Sequence, residues 1–343
     1  MKSIYDLSLE DLQQYLIDNN LKPFRAKQIF KWLYEKRVSS FLEMSDISKD
    51  LQTQLNSDFL IDTLNVKAHQ ISKDGTQKFL FELEDGALVE SVLMVFDYGF
   101  SACLSSQVGC NMGCKFCASG LLKKQRDLSA GEIVCQALMI QKELDKENNR
   151  LGNIVVMGTG EPFDNYDNVM KAMSIINSPY GLEIGSRHIS ISTCGVVPGI
   201  LRFSKENLQY NLAISLHAPN DELRDKLMPI NHAYPLKKLF DALKEYSNLN
   251  NRRLTFEYLL LKDVNDSKKH AEQIKELLNG LNAYINLIPY NSVKENDFET
   301  SSEENALRFY DLLKKNGVAV TLRQKRGDDI DAACGQLRAN NLK

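Results

Sequence analysis

Hydrophobic positions along this chain follow three successive rhythms. Over the first fifty residues they recur at helical spacing. Leu9, Leu12, Tyr15 and Leu16 share one face, and Ala26, Ile29, Phe30 and Leu33 form a second stripe. Between them, Asn19-Asn20-Leu21-Lys22-Pro23 has the chemistry of a turn. From about residue 76 the period shortens to two, and QKFLFELEDGALVESVLM predicts a hairpin turning at Glu84-Asp85-Gly86. Beyond residue 100, strand-like runs (SACLSSQVG, NIVVMG, HISIST, NLAISLH, RLTFEYLLL, YINLIPY, VAVTLRQ) alternate with helical stretches such as AGEIVCQALMIQKEL and PLKKLFDALKEYSNL. Strand alternating with helix predicts an α/β fold on a parallel sheet, open or closed into a barrel. Ser129 and Glu132 form a capping box that starts the first of these helices.

Composition adds little to this picture. The 343 residues are 43% hydrophobic and 25% charged, so a substantial core is expected. No apolar run is long enough to span a bilayer, and MKSIYDLSLEDLQQYL lacks the apolar block of a signal peptide. A cytoplasmic protein without membrane contact is expected. The net charge of −3 provides no global attraction to nucleic acid, yet Arg25, Lys27, Lys31, Lys36 and Arg37 crowd the second helix. That cluster is either a solvated face opposite the core stripe or a surface for RNA phosphates.

The cysteines change the picture. Of the seven, Cys103, Cys110, Cys114 and Cys117 crowd together, while Cys135, Cys194 and Cys334 stand apart. An odd, uneven set is a poor disulfide framework and points to metal or redox chemistry. Cys110-Asn-Met-Gly-Cys114-Lys-Phe-Cys117 is a C-x3-C-x2-C loop following the first strand of the alternating region. A structural zinc site is closed by four ligands, and no fourth is apparent here. Three thiolates on a cubane cluster leave one iron open to a small molecule.

This loop, with an aromatic residue before its third cysteine, resembles the hallmark of the radical S-adenosylmethionine (SAM) superfamily. Such a resemblance implies a partial (β/α)6-type TIM barrel carrying a [4Fe-4S] cluster on Cys110, Cys114 and Cys117. In that superfamily SAM chelates the open iron and is cleaved to a 5′-deoxyadenosyl radical, and the same is expected here. Four predicted strand ends carry the polar groups expected to hold SAM. They are Gly160 and Glu161, then Ser192, then Ser215-Leu216-His217, and finally Asn291. The segment from Arg323 to Leu337, with Ser106-Gln107-Val108-Gly109-Cys110, narrows the resemblance to the RlmN and Cfr RNA adenine methyltransferases.

That narrower resemblance, spanning nearly the whole chain, implies a two-stage reaction using two SAM molecules per turnover. Cys334 takes a methyl from the first. The radical from the second abstracts hydrogen from that S-methyl group, and the resulting carbon radical adds to the adenine ring. Cys103 then attacks the Cys334 sulfur, releasing the methylated base and leaving a disulfide. Glu90 is the implied proton acceptor, and a partly buried carboxylate there would have a raised pKa. Cys135 and Cys194 are expected to be packing residues.

Gly160-Glu161-Pro162 favours the C2-methylating group of the family, which acts on 23S rRNA and tRNA, over the C8-specific group. Three domains are expected: a helical RNA-contacting unit (1–50), a connecting segment with the hairpin (51–97) and the catalytic core with the carrier cysteine (98–343). The implied partners are the two RNAs and an electron donor such as flavodoxin or ferredoxin, acting on a monomer. The rival readings are a zinc-knuckle RNA-binding protein, or a radical SAM enzyme acting on a small molecule or peptide. Neither would need Cys334.

Overall fold

The computed structural model describes residues 2–61, 64–121, 123–291, 296–324, 326–327, 329–330 and 337. Its organising element is a ten-stranded sheet in which spatial order follows chain order. The strands are β1 (Leu64–Ile71), β2 (Gln77–Leu83), β3 (Leu88–Phe96), β4 (Gly99–Cys103), β5 (Leu151–Val156), β6 (Ile189–Thr193), β7 (Asn211–Ser215), β8 (Leu254–Leu260), β9 (Ala283–Pro289) and β10 (Val320–Leu322). From β4 to β10 every neighbouring pair is parallel. Parallel strands need long crossovers, and these are helical. They comprise α4 (Ala130–Asp145), α5 (Tyr166–Asn177), α6 (Val197–Lys205), α7 (Asp221–Leu227) with α8 (Leu236–Leu249), α9 (Lys268–Leu278) and α10 (Glu303–Lys315). Six parallel crossovers make the expected α/β core, open rather than closed. The capping box at Ser129 and Glu132 forms as predicted, starting α4.

The hairpin at Glu84-Asp85-Gly86 also forms, as β2–β3, with Gly86 at a φ of 79°. Instead of merely connecting, it extends the core: β1 to β4 pair antiparallel and continue the parallel sheet at β4. Register therefore aligns side chains of different strands. Lys78, Val92, Cys103 and Val155 lie in one cross-strand row over β2, β3, β4 and β5. Opposed residues share a face of the sheet.

The amino-terminal unit comprises α1 (Leu9–Asp18), α2 (Arg25–Phe30), a π-helical turn (Lys31–Lys36) and α3 (Lys49–Asp58). The division expected at residue 50 falls inside α3. With only Leu51 and Leu55 as its apolar contacts in KDLQTQLNSD, this helix gives a faint periodic signal. After it, Phe59–Leu60 pairs in parallel with Lys2–Ser3, closing the unit on its own start. The basic cluster is partly committed to structure. Arg37 makes a bidentate pair with Asp145 of α4 at 2.6 and 2.7 Å, and Arg25 donates to Gln28 and to the Asp46 carbonyl. Lys27 lies over the Tyr180 ring, and Lys31 and Lys36 flank Glu35 at the exposed surface. No described helix is long and apolar enough to cross a membrane.

Candidate active site

A cavity of about 420 Å³ opens at the carboxyl ends of the parallel strands. This is where function collects in such folds, because the loops after the strands converge there. One wall is the cysteine loop. A two-stranded ribbon, Gln107–Val108 against Arg126–Asp127, pinches the loop at its base, and Gln107 Nε2 donates to Asp127 at 2.7 Å. Within the loop Cys117 N–H donates to the Cys114 carbonyl, and Lys115 N–H donates to Leu227 of α7. A Cβ on Gly120 would stand 2.8 Å from the Cys114 carbonyl oxygen, so glycine permits the tight return.

Cys110, Cys114 and Cys117 all face the cavity, each partly exposed to it. Burial pushes the Cys110 thiol up to about 11, with the neighbouring Cys117 adding to the shift. Burial raises Cys114 further, reinforced by Cys117 and Cys110. Three soft sulfur donors clustered on one short loop fit an iron–sulfur cluster, whose positive charge would reverse these shifts by binding the thiolates.

The opposite wall is built from strand ends. Glu161 is 2% exposed. Its Oε2 accepts from Cys194 N–H at 2.7 Å and its Oε1 from Phe163 N–H at 3.0 Å. Burial raises its pKa, partly opposed by these N–H donors. Gly160 has a φ of 116°, and a Cβ there would meet Ser106 Oγ at 2.6 Å, so only glycine lets this loop lie against the strand after β4. Ser192 and Ser215, at the ends of β6 and β7, both face the cavity, as does Asn291 after β9.

His217 is also at the cavity, in the left-handed region at a φ of 54°. Its Nδ1 accepts from Leu259 N–H at 3.1 Å. Burial and then the Arg224 cation hold its pKa down at about 3. The ring is therefore neutral with its proton on Nε2, which makes it a donor. Leu216 alone among the described candidates does not line the cavity. It is fully buried, and its backbone N–H and carbonyl bond Glu257 and Arg224.

Glu90 and Cys103 occupy the sheet floor beside the hairpin. Glu90 is 3% exposed, not on an outward face, and pairs at 3.1 Å with Lys78, itself 1% exposed. Cys103 is half-buried, and burial pushes its thiol up to about 11 against the opposing pull of Arg323 and Lys78. Cys334 lies outside the described residues.

Several residues at the cavity escaped the sequence reading. Lys78 alternates correctly on β2, but its partner on β3 becomes evident only with the register. Glu257 on β8 lines the cavity, accepts from Asn286 at 3.0 and 3.2 Å and faces Arg323. Cys194, expected to be a packing residue, is buried but borders the cavity, and its backbone holds Glu161. Cys135 is buried on α4 as expected.

Known proteins share this arrangement along its whole length. A radical SAM superfamily model matches residues 104–279, and a model of the ribosomal RNA large subunit methyltransferase N-terminal domain matches residues 2–61. A Streptococcus thermophilus (strain CNRZ 1066) protein named "Probable dual-specificity RNA methyltransferase RlmN" is 53% identical, covering 99% of this chain and 89% of its own. A protein of the same name from Geobacillus kaustophilus (strain HTA426) is 52% identical, covering 100% of this chain and 94% of its own. The chain belongs to the RlmN family. A crystal structure of a radical SAM methyltransferase from Sphaerobacter thermophilus superposes with a TM-score of 0.94 at 40% identity, covering 98% of this chain and 99% of that one.

As an RlmN-family member the chain is a radical SAM RNA methyltransferase, with an iron–sulfur cluster and SAM as its cofactors. Family membership removes the zinc-knuckle reading.

Two predictions follow from this geometry. Replacing Cys114 with Ala should abolish iron binding, measured as iron content and the brown charge-transfer absorbance of anaerobically reconstituted protein. Full iron loading in that variant would refute the ligand assignment. Alkylation of Cys103 in the intact holoenzyme, followed by peptide mass spectrometry, should accelerate roughly tenfold per pH unit towards about pH 11, because only the thiolate reacts. A plateau near pH 8 would show that the thiol is not held protonated by burial.

Proposed function

We propose that this enzyme methylates C2 of an adenosine in 23S rRNA and in tRNA, with Cys334 as methyl carrier. The observation that carries the reading is a single cavity lined by the three loop cysteines, Glu161, Ser192, Ser215 and His217 on one side and by Glu90 and Cys103 on the other. When bound, the cluster would supply the electron that cleaves SAM and take one back as the base radical loses its proton, and two SAM molecules are consumed per turnover, one as methyl donor and one as hydrogen acceptor.

The chain's own groups do the rest. Glu161 offers carboxylate lone pairs to an ammonium, and its raised pKa falls when a cation arrives. Ser192, Ser215, Asn291 and the neutral His217 offer hydrogen bonds to ribose, carboxylate and adenine. Gly160 leaves room for their approach. Glu90, steadied by Lys78, accepts the proton displaced from the base carbon. Cys103 attacks the Cys334 sulfur as a thiolate, the bond from that sulfur to the methylene carbon breaks, the carbon takes up a proton from solvent to leave as the methyl group of the base, and a Cys103–Cys334 disulfide remains for a reductant to clear. Lys27, Lys31 and Lys36 present charge to RNA phosphates. The enzyme works as a cytoplasmic monomer reduced by a flavodoxin or ferredoxin.

Support for C2 comes from Gly160-Glu161-Pro162 and from the dual-specificity names of the relatives. Mass spectrometry of RNA from a strain lacking the gene should show loss of 2-methyladenosine from both 23S rRNA and tRNA. Loss of 8-methyladenosine instead would select the alternative position.

The two remote cysteines should fail differently. Cys334→Ala cannot carry a methyl group, so neither protein methylation nor an RNA adduct forms. Cys103→Ala should still load Cys334 and add to the base, but a thioether is inert without a nearby thiolate to attack it. It should accumulate as a nuclease-sensitive protein–RNA species on denaturing gels. Normal turnover by Cys103→Ala would return Cys103 to a packing role.

A further inference from the structure

The segment leading towards Cys334 is held by two crossed carboxylates. The β1–β2 turn, Ser72 to Thr76, is closed by Ser72 N–H donating to Thr76 O and by Gly75 at a φ of 83°. Asp74 of this turn accepts from Thr76 N–H at 2.9 Å with Oδ1 and from Gly327 N–H, also at 2.9 Å, with Oδ2. In return, Asp329 accepts from the Ser72 hydroxyl with one oxygen and from Lys73 N–H at 3.2 Å with the other.

Some 250 residues of chain separate the partners, yet three hydrogen bonds, two to Asp329 and one to Asp74, join them. Arg326 adds a fourth contact, its guanidinium 4.6 Å from the centre of the Phe96 ring at the end of β3. Residues on both sides of this junction face the active-site cavity, namely Thr76 and Lys78 from the hairpin and Arg323, Arg326 and Ile330 from the arm.

We propose that the β1–β2 turn is the anchor of the carrier arm, and that Asp74 and Asp329 are positioning residues for Cys334. The proposal rests on the reading of Cys334 as methyl carrier. Its logic is one of reach. Cys334 stands four positions after Ile330, a tether of at most ~14 Å. Fixing Ile330 at the cavity rim confines the sulfur to the neighbourhood of the cavity. The same tether lets one sulfur serve the cysteine loop, the base and Cys103 in turn. Confinement of this kind raises effective concentration, whereas an arm freed from residue 323 would lose it.

The anchor holds throughout the working pH range. Burial opposes ionisation of Asp74, but the N–H groups of Thr76 and Gly327 outweigh it and bring the pKa to about 2. Asp329 is held below the usual carboxylate range, first by the Ser72 hydroxyl and then by Lys73 N–H. Depressed carboxylates contribute binding above their ordinary pKa and lose it only in strong acid.

Both carboxylates are exposed, so their removal spares the core. In the full-length, cluster-loaded enzyme, Asp74→Ala and Asp329→Ala should each speed hydrogen exchange across residues 323–331 about tenfold, while α4 stays protected. Single-turnover methylation of RNA should fall by a similar factor with RNA affinity unchanged. Asp329→Asn should restore both, because the Ser72 hydroxyl can accept as well as donate. Unchanged exchange in the double Ala variant would overturn the anchor, and faster exchange with an unchanged rate would overturn the positioning role. Methylation surviving in Cys334→Ala would instead overturn the carrier reading and leave the exchange result standing.

Discussion

The active-site end of the parallel sheet depends on one buried cation. Arg224 of α7 is 0% exposed, and its guanidinium gathers carbonyl oxygens at the strand ends: Cys194 at 2.6 Å, and Ser215 and Leu216 each at 3.3 Å. Asn231 completes the shell at 2.9 Å and is itself held by Asp221 and Asp225. Those two carboxylates, through Asn231, keep negative charge close to a guanidinium removed from water. One side chain thereby fixes the exits of β6 and β7, from which Glu161 takes its Cys194 donor and Ser215 and His217 enter the cavity. The same charge helps keep His217 neutral, and its field reaches Cys114 on the opposite loop. Truncating Arg224 would remove the donor that Cys194, Ser215 and Leu216 share, and a buried acceptor left unpaired costs more than the net value of its bond.

The second organising feature is the change of strand direction at β4. A parallel core alone would end in an edge strand there. Instead, the antiparallel hairpin continues the sheet and brings the paired Lys78 and Glu90 to the floor of a cavity whose opposite wall is the cysteine loop. In the proposed reaction, cofactor chemistry and base chemistry are thus served by different parts of one continuous sheet. Pairing β3 and β4 along five registered positions fixes Cys103 and Glu90 on that floor.

Much of this was legible in the chain because the signals were local. C-x3-C-x2-C, the Ser129/Glu132 capping box and the Glu84-Asp85-Gly86 turn each act within a few residues, and each formed where expected. Strand ends were legible for the same reason, since Ser192, Ser215 and His217 follow runs of β-branched and apolar residues. What escaped depends on register or on contacts across long stretches of chain. Lys78 reaches Glu90 only once β2 and β3 are aligned, and Cys194 acts through its backbone, on which side-chain identity is silent. Arg224 looks like one charge among several in DELRDKL until α7 turns it inward. The third helix was overlooked because two leucines among polar residues leave a weak periodicity.

The protonation of Cys103 bears on how the proposed sequence of steps stays in order. A free thiolate beside an S-methyl or carbon-radical centre would be an early nucleophile and an easy target for oxidation. Burial holds this thiol up near 11, so at neutral pH only a small fraction is reactive at any moment. Lys78 and Arg323 pull the other way, and Glu90 works against them. When Glu90 accepts a proton from the base, one negative neighbour of Cys103 is neutralised. The balance of charge around the sulfur then shifts towards the thiolate. In the proposed sequence, the proton released on carbon–carbon bond formation would thus also favour the thiolate needed to resolve the adduct. Resolution would then be coupled to addition through charges already present on the cavity floor.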